Sequence, residues 1–196
     1  MTQTINKKFL ENVKLSNLPL AWSVQARGFY YSAEALLNGN EIAKGKKIIS
    51  TEEAYLSRFG YKTACYLMSH TIELCLKAIY CLFTANEDVE KYSHKILNLL
   101  EVLIEKNIIN KTEINNETFE LSYLLLDWYG RYHKPKNVQE KIQKYWITAP
   151  DNSEMLKRKY EINSETYKRL KEMAQFLLRK IPDSSKSIGL LIFDPF

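Results

Sequence analysis

The chain has 196 residues, a mass of 23.0 kDa and a formal net charge of +5 at pH 7. Its 45% apolar and 26% charged content excludes a disordered or fibrous chain, and the length suffices for one domain over 1–196 whose core needs no disulfide or structural metal. No apolar run approaches the ~18 residues of a membrane span, which predicts no membrane association.

Six glycines and five prolines leave few places to punctuate strands, so long helices are expected. The first residues, MTQTINKKFLENVKL, carry charges around a very short apolar patch and lack a signal-peptide core, which predicts a cytoplasmic protein. Pro19 opens the segment 19–38 where a helix tolerates proline, and Gly39 stands where one would stop. Leu20, Val24, Phe29, Ala33, Leu36 and Leu37 recur mostly at helical steps, giving that helix an inward face. The polar run 39–53 reads as a connector.

Segment 54–84, AYLSRFGYKTACYLMSHTIELCLKAIYCLFT, is the strongest element. Ala64, Leu67, Met68, Thr71, Ile72, Leu74, Cys75, Leu76, Ala78, Ile79, Leu82 and Phe83 fill an arc about 200° wide, too broad for one neighbour, so this helix should be central. Lys62, Tyr66, Glu73, Lys77, Tyr80 and Thr84 gather in a narrow seam with His70 beside it. Glu73 and Lys77 stand at i, i+4, a pairing worth ~0.2–0.5 kcal/mol if exposed. The seam reads either as a solvated strip with one salt bridge or, if it faces a cleft, as a candidate site with His70, Glu73 and Lys77.

Ser93 is placed to cap a helix over 94–106, in which Ile96, Leu99, Leu100 and Leu103 form the stripe and Leu97, Val102 and Ile104 widen it. After a polar spacer, Thr118–Tyr132 shows helical spacing at Phe119, Leu121, Leu124, Leu125, Trp128 and Tyr129. Gly130 and Pro135 end that helix near Arg131–His133. Residues 137–162 read either as one more amphipathic helix or, around the turn TAPDNS, as a short hairpin near 142–162. Ser164 starts a last helix to about Lys180, with Tyr167, Leu170, Met173, Ala174, Leu177 and Leu178 inward. The tail 187–196 is rich in apolar residues and is expected to dock on its own body or on a second copy.

Phosphate-loop, zinc-protease, nucleophile-elbow and paired CxxC motifs are absent. Cys65, Cys75 and Cys81 do not converge on a helix and read as small buried hydrophobes. His70, His94 and His133 lie in separate elements, so no metal or cofactor is expected. Charge is uneven along the chain: residues 127–180 hold 13 Lys and Arg against 7 Asp and Glu, whereas 1–126 hold 14 of each. The excess suits an acidic partner, nucleic acid first, and equally a soluble surface.

HTIELCLKAIYCLF, then SHKILNLLEVL, then WYGRYHKP together resemble the HEPN group of prokaryotic all-helical domains. Several branches of that group carry an E-x-x-L-K-A helix, a histidine opening a short helix and an Arg-Tyr-Pro-like element. Here these are Glu73, Leu76, Lys77 and Ala78, then His94, then Arg131, Tyr132 and Pro135. The resemblance implies an up-and-down bundle of four to five helices and a homodimer. It also implies a role in defence or toxin–antitoxin systems, with an antitoxin or regulatory protein as a partner. Some members cleave RNA without metal, using an arginine followed four to six residues later by a histidine. The imidazole moves the protons and the guanidinium stabilises phosphorane charge. Arg131 and His133 are separated by a single residue and diverge by about 200° on an intact helix, so only a broken helix end would aim both at one phosphate.

Three roles stand side by side for Arg131 and His133: catalysis with His94, noncatalytic contact with a polyanion, or dipole-favoured termination of a helix. Lys134, Lys136, Lys141 and Lys144, interleaved with Tyr132, Tyr145 and Trp146, extend the basic stretch and suit RNA or nucleotide binding. The expected function is an RNA- or nucleotide-related one, as a divergent endoribonuclease or as a noncatalytic binding or regulatory module.

Overall fold

A computed structural model describes residues 18–44, 51–84, 88–126 and 162–182. These form an all-α bundle of five α-helices: α1 (Pro19–Lys44), α2 (Thr51–Phe83), α3 (Ile96–Glu105), α4 (Asn116–Leu124) and α5 (Ser164–Arg179). Single 3-10 turns lie at Val89–Tyr92 and Lys111–Glu113, and no strand occurs among the described residues. None of the described helices is long and apolar enough to cross a membrane.

The 33-residue α2 is the axis, and α1, α3, α4 and α5 all pack against it. Every side chain from Thr71 to Tyr80 is buried, as the broad apolar arc predicts. Its hydroxyls bond back into the helix: Ser69 to the carbonyl of Cys65, Thr71 to that of Leu67 and Thr84 to that of Tyr80, so these donors enter the core with partners. Six residues separate α1 from α2, about 20 Å at full stretch. That cannot return the chain along the ~39 Å of α1, so the two helices run antiparallel along their extensive contact.

Gly39 does not end the first helix, which continues to Lys44. Glycine inside a helix costs about 1 kcal/mol, and the good helix formers after it outweigh that. Leu82 and Phe83, expected inside, are 37% and 62% exposed, because this end of α2 is covered on the side of Tyr80 and Thr84, which are buried, and not on theirs. Ser93 does not cap α3 either. It sits at φ 45° and ψ −118°, and the Lys95 amide donates to the Tyr92 carbonyl at 2.7 Å. These are features of a type II′ turn with Ser93 as its second residue, so His94 lies in the turn ahead of α3.

In α3, Ile96, Leu99, Leu100 and Leu103 are buried as the stripe predicts, and Phe119, Leu121 and Leu125 follow around α4. Asn115 caps α4 and Asn163 caps α5, each side-chain oxygen accepting from the amide three residues on. On α5, Tyr167, Leu170, Met173, Ala174 and Leu177 are buried, and Leu178 is half-buried. Tyr167 and Lys171 both donate to Glu34 on α1, and Gln175 donates to the Tyr30 hydroxyl at 2.7 Å. Lys180 reaches Glu113 at 3.1 Å. Cys65, Cys75 and Cys81 are free thiols, and burial pushes Cys65 up to about 12 and Cys81 to about 11.

Candidate functional site

Tyr66, His70, Glu73 and Lys77 stand one turn apart along α2, so the helix repeat alone lines them up on one edge. The edge is largely covered: Glu73 is 1% exposed and Lys77 7%. A buried carboxylate needs partners, and Glu73 has them on both sides. Lys77 Nζ donates to Oε1 at 2.7 Å. His94 Nδ1 lies 3.0 Å from Oε1 and 3.1 Å from Oε2. His70 Nδ1 is 3.6 Å from Oε2, outside good hydrogen-bond geometry.

Helix α1 covers this edge with two aromatic residues two turns apart. The Trp22 ring lies 4.9 Å from Lys77 Nζ, and Phe29 stacks on the His70 ring at 5.3 Å and 22°. Tyr66 meets the same imidazole edge-on at 4.6 Å. The Tyr92–Lys95 turn closes the cluster from the far side and brings the His94 ring to 6.4 Å from that of His70. Side-chain exposure rises outward from 2% at Glu73 through 19% at His70 to 39% at His94, so the cluster has a charged base and an imidazole mouth.

Chemically, a carboxylate facing Nδ1 holds the proton on that nitrogen and leaves Nε2 of His94 as the basic atom. Glu73 and Lys77 cancel each other's charge. An imidazole so oriented can take a proton from a hydroxyl at the mouth and return it. Among the described residues, no group of three His, Cys, Asp or Glu side chains has the arrangement of a metal site.

Of the site residues expected from sequence, His70, Glu73, Lys77 and His94 are brought together. Arg131, Tyr132, His133, Lys134, Lys136, Lys141 and Lys144 lie outside the described residues, as do the hairpin near 142–162 and the tail 187–196. Trp22 and the Ser93 turn complete the cluster without having been singled out. The seven-residue spacing of Trp22 and Phe29 was the available signal for the first; nothing in the sequence marks Ser93 as a turn residue rather than a cap. Compared with known protein families, curated proteins and solved structures, this chain matches none.

Proposed function

We propose that the chain is a HEPN-like helical protein acting on RNA, as a metal-independent endoribonuclease of a prokaryotic defence or toxin–antitoxin system. The observation that carries this reading is the buried Glu73 carboxylate 3.0 Å from His94 Nδ1, with a second imidazole 6.4 Å away at the same mouth. In the reaction, His94 takes the 2′-hydroxyl proton as the new O2′–P bond forms. A protonated second imidazole, His70 or His133, gives a proton to the departing 5′-oxygen as the P–O5′ bond breaks. Arg131 stabilises phosphorane charge, and Tyr132, Lys134, Lys136, Lys141 and Lys144 hold the strand. The protein works in the cytoplasm as a homodimer and is restrained by a partner protein.

A second reading has its own support. Glu73 and Lys77 are almost wholly buried and mutually neutralised under Trp22, as in a polar latch that pins the Tyr92–Lys95 turn to α2. In that case the protein is a noncatalytic binding or regulatory module. Chelator-treated protein incubated with single-stranded and structured RNA separates the two. The nuclease reading expects cleavage that disappears in His94→Ala and falls at least tenfold in Glu73→Gln. Salt-sensitive binding without cleavage selects the module, and neither binding nor cleavage removes RNA from the account.

A further inference from the structure

Overall the chain carries a formal charge of +5, yet a groove of about 420 Å³ between α3 and α4 has three carboxylates on its rim. Glu101 and Glu105 come from α3 and Glu120 from α4, and all three are exposed. Lys111, on the 3-10 turn that joins the two helices, is the cation among the described lining residues. The floor is apolar: Leu100 and Phe119 are buried, and Leu97 and Ile104 are half-buried along it.

Helix periodicity makes this face. Leu97, Leu100, Glu101, Ile104 and Glu105 follow the i, i+3, i+4, i+7, i+8 steps of one helical edge, so apolar and acidic side chains share about 12 Å of α3. Electrostatics inside the chain work against the arrangement. Glu101 and Glu105 are like charges one turn apart. Glu105 is also the last residue of α3, where the helix dipole disfavours an anion and no basic residue stands in the last turn. Glu120 adds a third negative charge from the other wall. None of the three carboxylates is engaged in an ion pair among the described residues. Cations laid along this rim would offset all of these terms.

The same charges decide what fits. A nucleic acid or an anionic lipid surface would bring phosphates against three carboxylates. A second copy joined face to face about a two-fold axis would set Glu101, Glu105 and Glu120 against their own kind. An apolar floor with an acidic rim matches a helix that has apolar side chains at i, i+3, i+4 and i+7 and lysine or arginine along their flanks.

We propose that the α3/α4 groove is a docking surface for a basic amphipathic helix of another protein. The apolar face of that helix rests on Leu97, Leu100, Ile104 and Phe119, and its cations meet Glu101, Glu105 and Glu120. The groove takes about two turns of helix, so the contact is weak and reversible. It stands whether or not the histidine mouth cleaves RNA.

The probe is a fluorescein-labelled synthetic peptide of about 18 residues, with leucine at those spacings and lysine elsewhere, titrated into the full chain by fluorescence anisotropy. Saturable binding in the micromolar range is expected, weakened about tenfold between about 50 and 300 mM salt. Glu101→Gln/Glu105→Gln should weaken it about tenfold and Ile104→Ala about fivefold. Glu172→Gln, at an exposed position on α5, should stay within about twofold. Peptides with serine for leucine, or with glutamate for lysine, should bind at least about tenfold more weakly. His94→Ala should bind the peptide like the parent protein, so this surface and the nuclease reading fail separately. No saturable binding, equal binding of the serine peptide, or indifference to Glu101→Gln/Glu105→Gln would overturn the assignment. So would sedimentation showing a dimer that Ile104→Ala dissociates, which would give the groove to a second copy.

Discussion

Replacing Glu73 by alanine takes away the carboxylate that Lys77 meets at 2.7 Å and leaves an ammonium group whose side chain is 9% exposed. An exposed pair of this spacing contributes ~0.2–0.5 kcal/mol. A buried pair behaves differently: the two charges offset each other's desolvation, and removing one strands the other, at about 3–5 kcal/mol. Against a total stability of about 5–15 kcal/mol for a domain of ordinary size, that is a large share. Glu73→Ala should therefore lose about 3–5 kcal/mol, measured by urea unfolding followed by far-UV circular dichroism and extrapolated to water. Removing both charges in Glu73→Leu/Lys77→Met should recover most of the loss, because two apolar chains need no partner. What stays lost is the contact with His94, worth about 1 kcal/mol. The coupling between the two positions should thus be large and favourable to the pair. A loss below about 1 kcal/mol in Glu73→Ala, or single-variant losses that simply add, would show that water reaches the pair and would refute the buried-cluster argument.

Other consequences are open to measurement. Ser93 has a positive φ of 45°, so Ser93→Gly should keep or raise stability by up to about 1 kcal/mol, whereas Ser93→Val should lower it by about 1–3 kcal/mol and loosen His94; thermal unfolding of the two variants checks the sign. Burial, with the hydrogen bond to Glu34 second, raises the Tyr167 hydroxyl above 10.0, and the bond to Glu34 raises Lys171 above 10.5. The folded chain therefore holds protons that the unfolded chain releases, and this stability is whole below about pH 10 and declines above it. Tyr167→Phe should be less stable than the parent at neutral pH, with a gap that narrows as pH rises past 10.0; a gap independent of pH would contradict the assignment. Phe119, 1% exposed, should cost about 3–5 kcal/mol as alanine, while Phe83→Ser at a 62% exposed position should stay within about 0.5 kcal/mol in the monomer.

The central role of α2 is legible in its sequence because an apolar arc of about 200° can be satisfied only by neighbours on several sides. The fate of its seam is not. Periodicity gathers Glu73, Lys77, Tyr80 and Thr84 on one edge, and residue type suggests water beyond it. Yet all four are buried, Tyr80 at 0% exposure. What buries the charged pair lies elsewhere in the chain: Trp22 from α1 over Lys77, and His94 from a turn 21 residues after Glu73. A helical wheel describes one cylinder and carries no information about which cylinder lies against it. The same limit explains Leu82 and Phe83, whose wheel positions are apolar but which stay exposed while Tyr80 and Thr84 at the same height are covered. Ser93 illustrates a second limit. Serine before an apolar stripe reads as a helix cap, whereas its φ and ψ place it in a tight turn where glycine is the usual occupant. That turn carries His94 into hydrogen-bonding distance of a carboxylate that α2 could not leave buried with Lys77 on one side only. The motif residues Glu73, Lys77 and His94 are thus one physical unit: a charge pair made tolerable inside the bundle and an imidazole aimed by it. Any chemistry at this mouth depends on keeping that unit intact, so variants of His94 that retain the Glu73–Lys77 pair are the ones that separate activity from folding.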